Sequence, residues 1–193
     1  MARDIRNERT ERAILDAFLD ELSEKPLASI TVSAVAKRAG ISRSTFYAHF
    51  SNVRDVFDRA LGDFVRNIRE LNVQLRCASC GDDGLDAEAK LPFCVALRRA
   101  GRYDALVRSP EFLPAYLGLV DSSEGNAVLE SLVDAGVQPE TARNVMRFQL
   151  SGCYAVALST PPDADWRALQ RALDDYIRGG IAALRSSARA QGR

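Results

Sequence analysis

Residues 30–50, ITVSAVAKRAGISRSTFYAHF, predict two short helices joined by a tight turn. Thr31 is suited to cap a first helix over Val32–Ala39, whose apolar residues recur at the 3, 4 and 7 spacing of one buried face. Gly40 stands where a residue in the left-handed conformation would end that helix. Ser42 is then suited to cap a second helix over Arg43–His49. The pattern predicts a helix-turn-helix.

Charge along the same region favours a binding face for a polyanion. The whole chain is neutral, with 26 Lys and Arg residues against 26 Asp and Glu residues. No Asp or Glu occurs between residues 25 and 54, where the cations are Lys25, Lys37, Arg38, Arg43 and Arg54. A local basic region in a neutral protein is typical of a surface that neutralises phosphates. The alternative is a solvated basic helix pair without a ligand.

The motif resembles the TetR family of bacterial transcriptional regulators. The matching residues are Ile30-Thr31-Val32, Val35-Ala36, Ala39-Gly40-Ile41-Ser42 and Thr45-Phe46-Tyr47-Ala48-His49-Phe50. The resemblance implies an N-terminal three-helix DNA-binding domain and a divergent helical domain that dimerises and often binds a small molecule. It also implies that the protein binds an operator in double-stranded DNA and, by family habit, represses transcription.

One position departs from the family pattern. The family commonly has a Lys three residues after the His-Phe pair, where it meets a phosphate, and this chain has Val53 there. Arg54 follows, but a shift of one residue turns a helical side chain by about 100°. Either Arg54 reaches the phosphate or one contact is absent. A helical dimer that no longer reads DNA is the extreme alternative.

Length and composition are those of a globular protein. The 193 residues can form one domain or two small ones, and 47% are hydrophobic and 27% charged. No apolar run approaches the roughly 20 residues needed to cross a bilayer. The charged N-terminus is unlike a secretion signal. The sequence therefore predicts a cytoplasmic protein without a membrane partner.

Helical periodicity extends along almost the whole chain and predicts an all-α fold. In the first half, Ile5–Leu22 carries one apolar stripe, and Ser51 is suited to cap a long helix to Arg76. The later helices are expected at 87–100, 103–107, 110–120, 123–135, 139–159 and 165–187, with Asp165 capping the last. The run CASCGDDG, residues 77–84, is the clearest boundary. We expect a DNA-binding domain over 1–50, a bridging helix over 51–76, and a ligand-binding and dimerisation domain over 77–193.

The predicted DNA contacts follow from placing the second helix in a major groove. Arg43 and Ser44 occupy the turn that points at base edges, and Arg43 can bind guanine through two hydrogen bonds. The family uses the aligned positions of Tyr47 and His49 for phosphates. A packed tyrosine ring and a structural histidine are the alternatives. The full predicted set is Thr31, Ser33, Ser42, Arg43, Ser44, Thr45, Tyr47, His49 and Arg54.

The second domain offers a dimer surface and a pocket. In the family two C-terminal helices of each subunit form a four-helix interface, here matched by 139–159 and 165–187. Intramolecular packing is the competing interpretation of their apolar residues. An effector pocket can be lined by Phe93, Leu97, Tyr103, Phe112, Tyr116, Phe148 and Gln149, although aromatic residues at helical spacing are more often core. No effector can be named.

The cysteines suggest a rival form of regulation. Cys77 and Cys80, in the boundary run, can form a disulfide under oxidative stress, or supply half of a metal site that lacks paired spacing elsewhere. Incidental loop thiols, with Cys94 and Cys153 buried, are the plainer interpretation. No metal site or cofactor is therefore expected. No nucleophile–base pair or phosphate-binding glycine loop appears, and an enzyme is not expected.

Overall fold

The computed structural model describes residues 2–70, 93–122 and 127–191. The prediction of an all-α fold is confirmed, since these residues contain ten α-helices and two short 3₁₀ turns and no strand. The helices are α1 Ala2–Glu24, α2 Val32–Arg38, α3 Arg43–Tyr47, α4 Val53–Glu70, α5 Phe93–Arg98, α6 Asp104–Arg108, α7 Phe112–Ser122, α8 Ala127–Asp134, α9 Pro139–Ser159 and α10 Trp166–Gln191. Within these ranges, no helix is both long and apolar enough to cross a membrane.

Two compact units divide the described chain. The first comprises residues up to Asn67 together with Ala100–Ala115, and the second comprises the described residues of 68–99 and those from Tyr116 onward. The first unit therefore extends beyond the 1–50 domain expected from the sequence. It also takes in a segment that the prediction assigned to the second domain.

The core of the first unit is built on α1 and α4. The predicted stripe of α1 is buried: Ile14, Leu15, Phe18, Leu19 and Leu22 are each at most 8% exposed. The Phe18 ring meets the Phe57 ring of α4 edge-on at 6.5 Å between centroids. α1 packs on α2 and α2 on α3, and Val35 and Phe46 of these two helices are fully buried. Both helices of the helix-turn-helix thus bury apolar side chains in the core of the first unit.

Phe64 of α4 completes the first unit with residues from far along the chain. Its ring lies 5.6 Å from the rings of both Tyr103, in the 3₁₀ turn Gly101–Tyr103, and Phe112. All three side chains are buried. Asn67 also contacts the Tyr103 hydroxyl, at 3.4 Å. Burial raises the pKa of Tyr103 above its ordinary value.

The second unit is centred on α5 and α9. Every residue from Phe93 to Leu97 is buried, as expected of a helix that is apolar on all sides, and α5 packs on α9. A separate cluster joins α8, α9 and α10 through Leu132, Ala142 and Ile181. These contacts occupy one face of the two long C-terminal helices.

Arg98, at the end of α5, binds the turn between α9 and α10. Its guanidinium donates to the carbonyls of Ala157 at 3.2 Å and Thr160 at 2.8 Å. It also lies 4.5 Å from the ring of Trp166, the first residue of α10. A cation at a helix C-terminus satisfies carbonyls that have no partner within the helix.

Side-chain caps define the starts of α4 and α10. Asn52, and not Ser51, caps α4, because its Oδ1 accepts from the backbone N–H of Asp55 at 3.0 Å. The Ser51 N–H instead donates to the Asp55 carboxylate, also at 3.0 Å, so Asp55 binds the residue just before the cap. The Asp165 cap is confirmed by its 3.0 Å bond from the Ala168 N–H, but α10 continues to Gln191.

Candidate nucleic-acid interface

The turn between α2 and α3 has the geometry that the sequence predicts. Thr31 Oγ1 accepts from the Ala34 N–H at 3.2 Å and caps α2. Gly40 has φ +67°, and the Ile41 and Gly40 N–H groups donate to the carbonyls of Ala36 and Lys37. These two bonds form a Schellman motif, which fixes the direction in which the chain leaves α2. The angle between the two helices is therefore set by local chemistry.

The first turn of α3 presents hydroxyl groups and one cation. Ser42 Oγ accepts from the Thr45 N–H at 3.0 Å, and it lies 2.8 Å from both the Ser44 and Thr45 hydroxyls. Arg43 is exposed and has no ion-pair or hydrogen-bond partner among the described residues. A free guanidinium at this end of a helix can reach base edges or phosphates. The structure brings these four predicted residues together.

The other face of α3 is anchored in the core. Phe46 is fully buried, and its ring lies 6.0 Å from the Phe50 ring, which is 8% exposed. Tyr47 is 50% exposed and meets Phe46 edge-on at 5.8 Å. A packed ring with a hydroxyl in solvent and a phosphate contact are both compatible with this placement of Tyr47. Its phenol is held against Phe46 while much of the side chain faces solvent.

His49 lies in a setting that the sequence did not predict. We expected it to be exposed on the second helix, but α3 ends at Tyr47 and the His49 side chain is only 11% exposed. Its Nδ1 lies 3.7 Å from Glu11 Oε1 of α1. The second carboxylate oxygen of Glu11 lies 3.3 Å from Nη2 of Arg59 on α4. One carboxylate therefore stands between three segments of the first unit.

Arg54 is the predicted contact whose charge is already engaged. Its Nε lies 2.9 Å from Asp58 Oδ1, one turn further along α4. Its guanidinium also lies 4.8 Å from the Phe57 ring. Both contacts hold the side chain along its own helix. The geometry does not favour Arg54 as a replacement for the lysine that Val53 displaces.

The basic region of the sequence is partly neutralised in space. Arg38 Nε lies 2.7 Å from Glu21 Oε1, and its two terminal nitrogens each donate to Glu24 at 2.8 Å. Lys25 also pairs with Glu21, which is only 5% exposed. Both acids come from the end of α1, just before the run without acidic residues. The charge count along the sequence therefore overstated the net positive charge of this face.

This ion-pair cluster shows in the acid–base properties of its members. The hydrogen bond from Arg38 lowers the pKa of the Glu24 carboxyl below its ordinary value. The same bond raises the pKa of Arg38. Lys37, the neighbour of Arg38, is exposed and has no such partner among the described residues. Lys37 is therefore, like Arg43, a cation of this region without a described partner, but unlike Arg43 it was missing from the predicted set.

The predicted pocket residues do not form one group. Phe93, Leu97 and Tyr116 are buried in the second unit, where the Phe93 and Tyr116 rings stack at 4.8 Å. Tyr103 and Phe112 belong to the first unit and pack on Phe64.

Two further pocket candidates lie on α9. Phe148 is 71% exposed, which does not favour it as part of an interior lining. Gln149 is half-buried. A side chain as exposed as Phe148 is more typical of a surface that meets a partner.

The first unit contains a polar groove that the sequence did not predict. It lies between α1 and the segment from Gly101 to Ala105, and its walls include Asp16, Asp20 and Asp104. Arg102 pairs with Asp16 across it at 2.9 Å. No periodic or motif signal pointed to it, because its two walls are distant in the sequence.

Two of the four cysteines lie within the described residues. Cys77 and Cys80 lie outside the described residues, whereas Cys94 and Cys153 are buried and not in a disulfide, as predicted. In the described ranges, no three or more His, Cys, Asp or Glu side chains are grouped so that they could hold a metal ion.

Comparison with known proteins places this geometry in a family. The model of the bacterial regulatory proteins of the tetR family matches residues 14–60, from the middle of α1 into α4. An uncharacterized HTH-type transcriptional regulator of Haemophilus influenzae is 33% identical over 75 residues. That match covers 38% of this chain and 37% of that protein. A similar match to the regulator YxbF of Bacillus subtilis covers 23% of that protein, so the chain spans well under half of either relative.

A third relative matches over nearly its whole length. The HTH-type transcriptional regulator AcrR of Shigella flexneri is 32% identical over 200 residues, covering 92% of this chain and 91% of that protein. The solved structure of the fatty acid degradation regulator FadR from Bacillus halodurans is similar in fold, with a TM-score of 0.53 and 22% identity. It covers 86% of this chain and 93% of FadR. On the near full-length likeness to AcrR and the match of its helix-turn-helix, the chain belongs to the TetR family of bacterial transcriptional regulators.

Proposed function

We propose that this regulator binds a palindromic operator as a homodimer and acts as a repressor that a small-molecule effector releases from DNA. The observation that carries the proposal is the exposed first turn of α3. There Arg43 has no described partner, and the opposite face of the helix is fixed by Phe46. A rigid helix with a free guanidinium at its N-terminal end is suited to read guanine in a major groove.

Four further residues are proposed to bind the DNA backbone. Thr31 and Ser33 stand at the start of α2, where hydroxyl and backbone N–H groups can donate to phosphate. Tyr47 offers an exposed phenol, and His49 an imidazole at the end of α3. Ser42, Ser44 and Thr45 share a hydrogen-bonded hydroxyl cluster that supports or extends these contacts. Such contacts set affinity and orientation, whereas Arg43 is proposed to set sequence preference.

The proposed dimer uses the outer faces of α9 and α10. On α9, Phe148 is 71% exposed and shares one helical face with Gly152 and Ala155, which are also exposed. On α10, Tyr176 is 70% exposed and is followed on its face by exposed Gly180 and Ala183. Apart from the nearby backbone of its own helix, a methyl group added at either glycine would meet no described atom within 4 Å.

Large aromatic side chains beside small residues favour close helix packing. A second copy of the chain is proposed to cover this surface, because a single helix-turn-helix buries too little for useful specificity. The two-fold axis of such a dimer requires a palindromic operator.

The domain layout and the effector remain proposals. We propose that the second unit holds the effector and the dimer surface, and that the first unit holds the DNA contacts. Buried Phe93, Leu97 and Tyr116 supply apolar surface for a ligand if the second unit opens to admit one. We propose no catalytic role, and a site of action in the cytoplasm with the bacterial chromosome.

The test of DNA reading is selection of bound duplexes from a random library at about 0.1 M salt, where non-specific phosphate binding is partly screened. We expect an enriched palindrome. Arg43→Ala should relax preference at one base position in each half-site, by about 1–3 kcal/mol of discrimination. Arg108→Ala is the matched control, since its cation is exposed, is paired with Asp104, and is not among the predicted DNA contacts. Unchanged preference in Arg43→Ala would refute the assignment of α3.

The dimer is tested by sedimentation equilibrium of the full chain. Replacing Phe148 and Tyr176 together by Ser should raise the dimer dissociation constant. Tyr47→Ser removes an exposed aromatic side chain from the first unit and should leave it unchanged. If neither variant alters association, the proposed surface is not where the subunits meet.

A further inference from the structure

Glu11 lies between an expected DNA contact and the helix behind it. One of its carboxylate oxygens is 3.7 Å from His49 Nδ1, and the other is 3.3 Å from Arg59 Nη2. Arg59 is itself held by Asp63 through its Nε at 3.2 Å. Glu11 therefore connects α1 to the segment that follows α3, through His49, and to α4, through Arg59. Glu11 precedes residues 14–60, which the family model matches.

The contact limits how the His49 ring can be oriented. With Nδ1 directed at Glu11, Nε2 is the nitrogen that remains for an outside acceptor, and no described residue pairs with it. The side chain is 11% exposed, so the surrounding protein leaves it little freedom to turn. Both nitrogens of an imidazolium are donors, so the ring can bind Glu11 and a phosphate at the same time.

We infer that Glu11 is a positioning residue for DNA binding, which holds the His49 ring, in its protonated imidazolium form, so that Nδ1 faces the carboxylate and Nε2 donates to a phosphate. The inference rests on the proposed function, in which His49 binds the DNA backbone. Arg59, on α4, contacts the other oxygen of the Glu11 carboxylate, so α4 also helps to fix the orientation of His49. Glu11 itself does not touch DNA.

Removing the Glu11 charge should change the DNA affinity in the direction opposite to that expected from charge repulsion alone. A carboxylate near DNA repels the phosphates, so removing one should leave binding unchanged or tighten it. If Glu11 positions His49, removing its charge should weaken binding. Glu8 is the matched control, because it lies on α1 one turn before Glu11, is exposed, and has no described ion-pair partner.

The experiment measures the anisotropy of a labelled duplex that carries the palindrome enriched by selection. We expect Glu11→Gln to weaken binding by about tenfold, the scale of one charge-assisted hydrogen bond. Glu8→Gln should bind as well as the wild type or better. In a His49→Asn background, Glu11→Gln should cause no further loss, since the ring that it positions is gone. Thermal unfolding of each variant is recorded alongside.

The outcomes separate this inference from the proposed function. If the wild-type chain binds no duplex, both fail. If the wild type binds and Glu11→Gln behaves like Glu8→Gln, only the role of Glu11 is overturned. If Glu11→Gln weakens binding equally in the wild-type and His49→Asn backgrounds, the residue acts through general folding, and the inference is again wrong.

Discussion

Phe46 and Tyr47 are neighbours on α3 that should separate folding from DNA affinity. Phe46 is 0% exposed and Tyr47 is 50% exposed. Phe46→Ala removes a fully buried ring that also packs on Phe50, and such truncations cost about 3–5 kcal/mol. For a chain of this size, about 2–4 °C is lost per kcal/mol, so the unfolding midpoint should fall by roughly 6–20 °C.

Tyr47→Phe is the paired variant. It keeps the ring and its edge-on contact with Phe46, so stability should change by no more than about 0.5 kcal/mol. The lost hydroxyl should weaken binding to all duplex sequences alike, because a phosphate contact carries no sequence information. Circular dichroism at 222 nm follows unfolding, and anisotropy with two unrelated duplexes follows binding. A midpoint for Phe46→Ala within a degree of the wild type would refute the described packing of α3.

Three other substitutions test separate parts of the structure. Gly40→Ala should lower the free energy of unfolding by about 1–2 kcal/mol, measured by denaturant titration, because φ +67° strains any residue with a Cβ and no neighbouring atom adds to the cost. Arg98→Met should destabilise the second unit by about 2 kcal/mol and shift the fluorescence of Trp166, the one tryptophan of the chain. An unshifted spectrum would contradict the contact between Arg98 and the Trp166 ring. Burial raises the pKa of Asp174, so this carboxyl holds its proton more readily in the folded protein than in the unfolded chain. Its contribution to stability is therefore fully present at low pH and is lost as the pH rises through the folded-state pKa. Asp174→Asn should therefore unfold at a higher temperature than the wild type at pH 7, with the difference vanishing near pH 3, and a lower midpoint at pH 7 would count against burial as the cause.

The parts of the site that the sequence predicted are those fixed by near neighbours. Thr31, Gly40 and Ser42 act through residues at most five positions away, so their capping roles can be read from residue type and spacing. The apolar stripe of α1 is likewise a property of one helix. Even so, local competition can mislead, since Asn52 rather than Ser51 caps α4.

The features that the sequence missed depend on contacts between distant segments. Glu21 and Arg38 are 17 positions apart, and no charge count along the chain reveals that they form an ion pair. His49 was expected to be exposed, but Glu11 covers one of its ring nitrogens. Phe148 was proposed to line a pocket because the family resemblance implies one in the second domain, whereas its side chain is 71% exposed. Each outcome follows from how elements pack, which periodicity does not specify.

The completion of the first unit by Phe64, Tyr103 and Phe112 has a consequence for how the protein is made. The ribosome releases the chain from its N-terminus, so the helix-turn-helix emerges well before residues 100–115 can cover Phe64. During that interval a nascent regulator carries an uncovered aromatic surface. A fragment that ends after α4 would keep this surface permanently, so transplanting the DNA-reading part onto another protein requires the later segment as well.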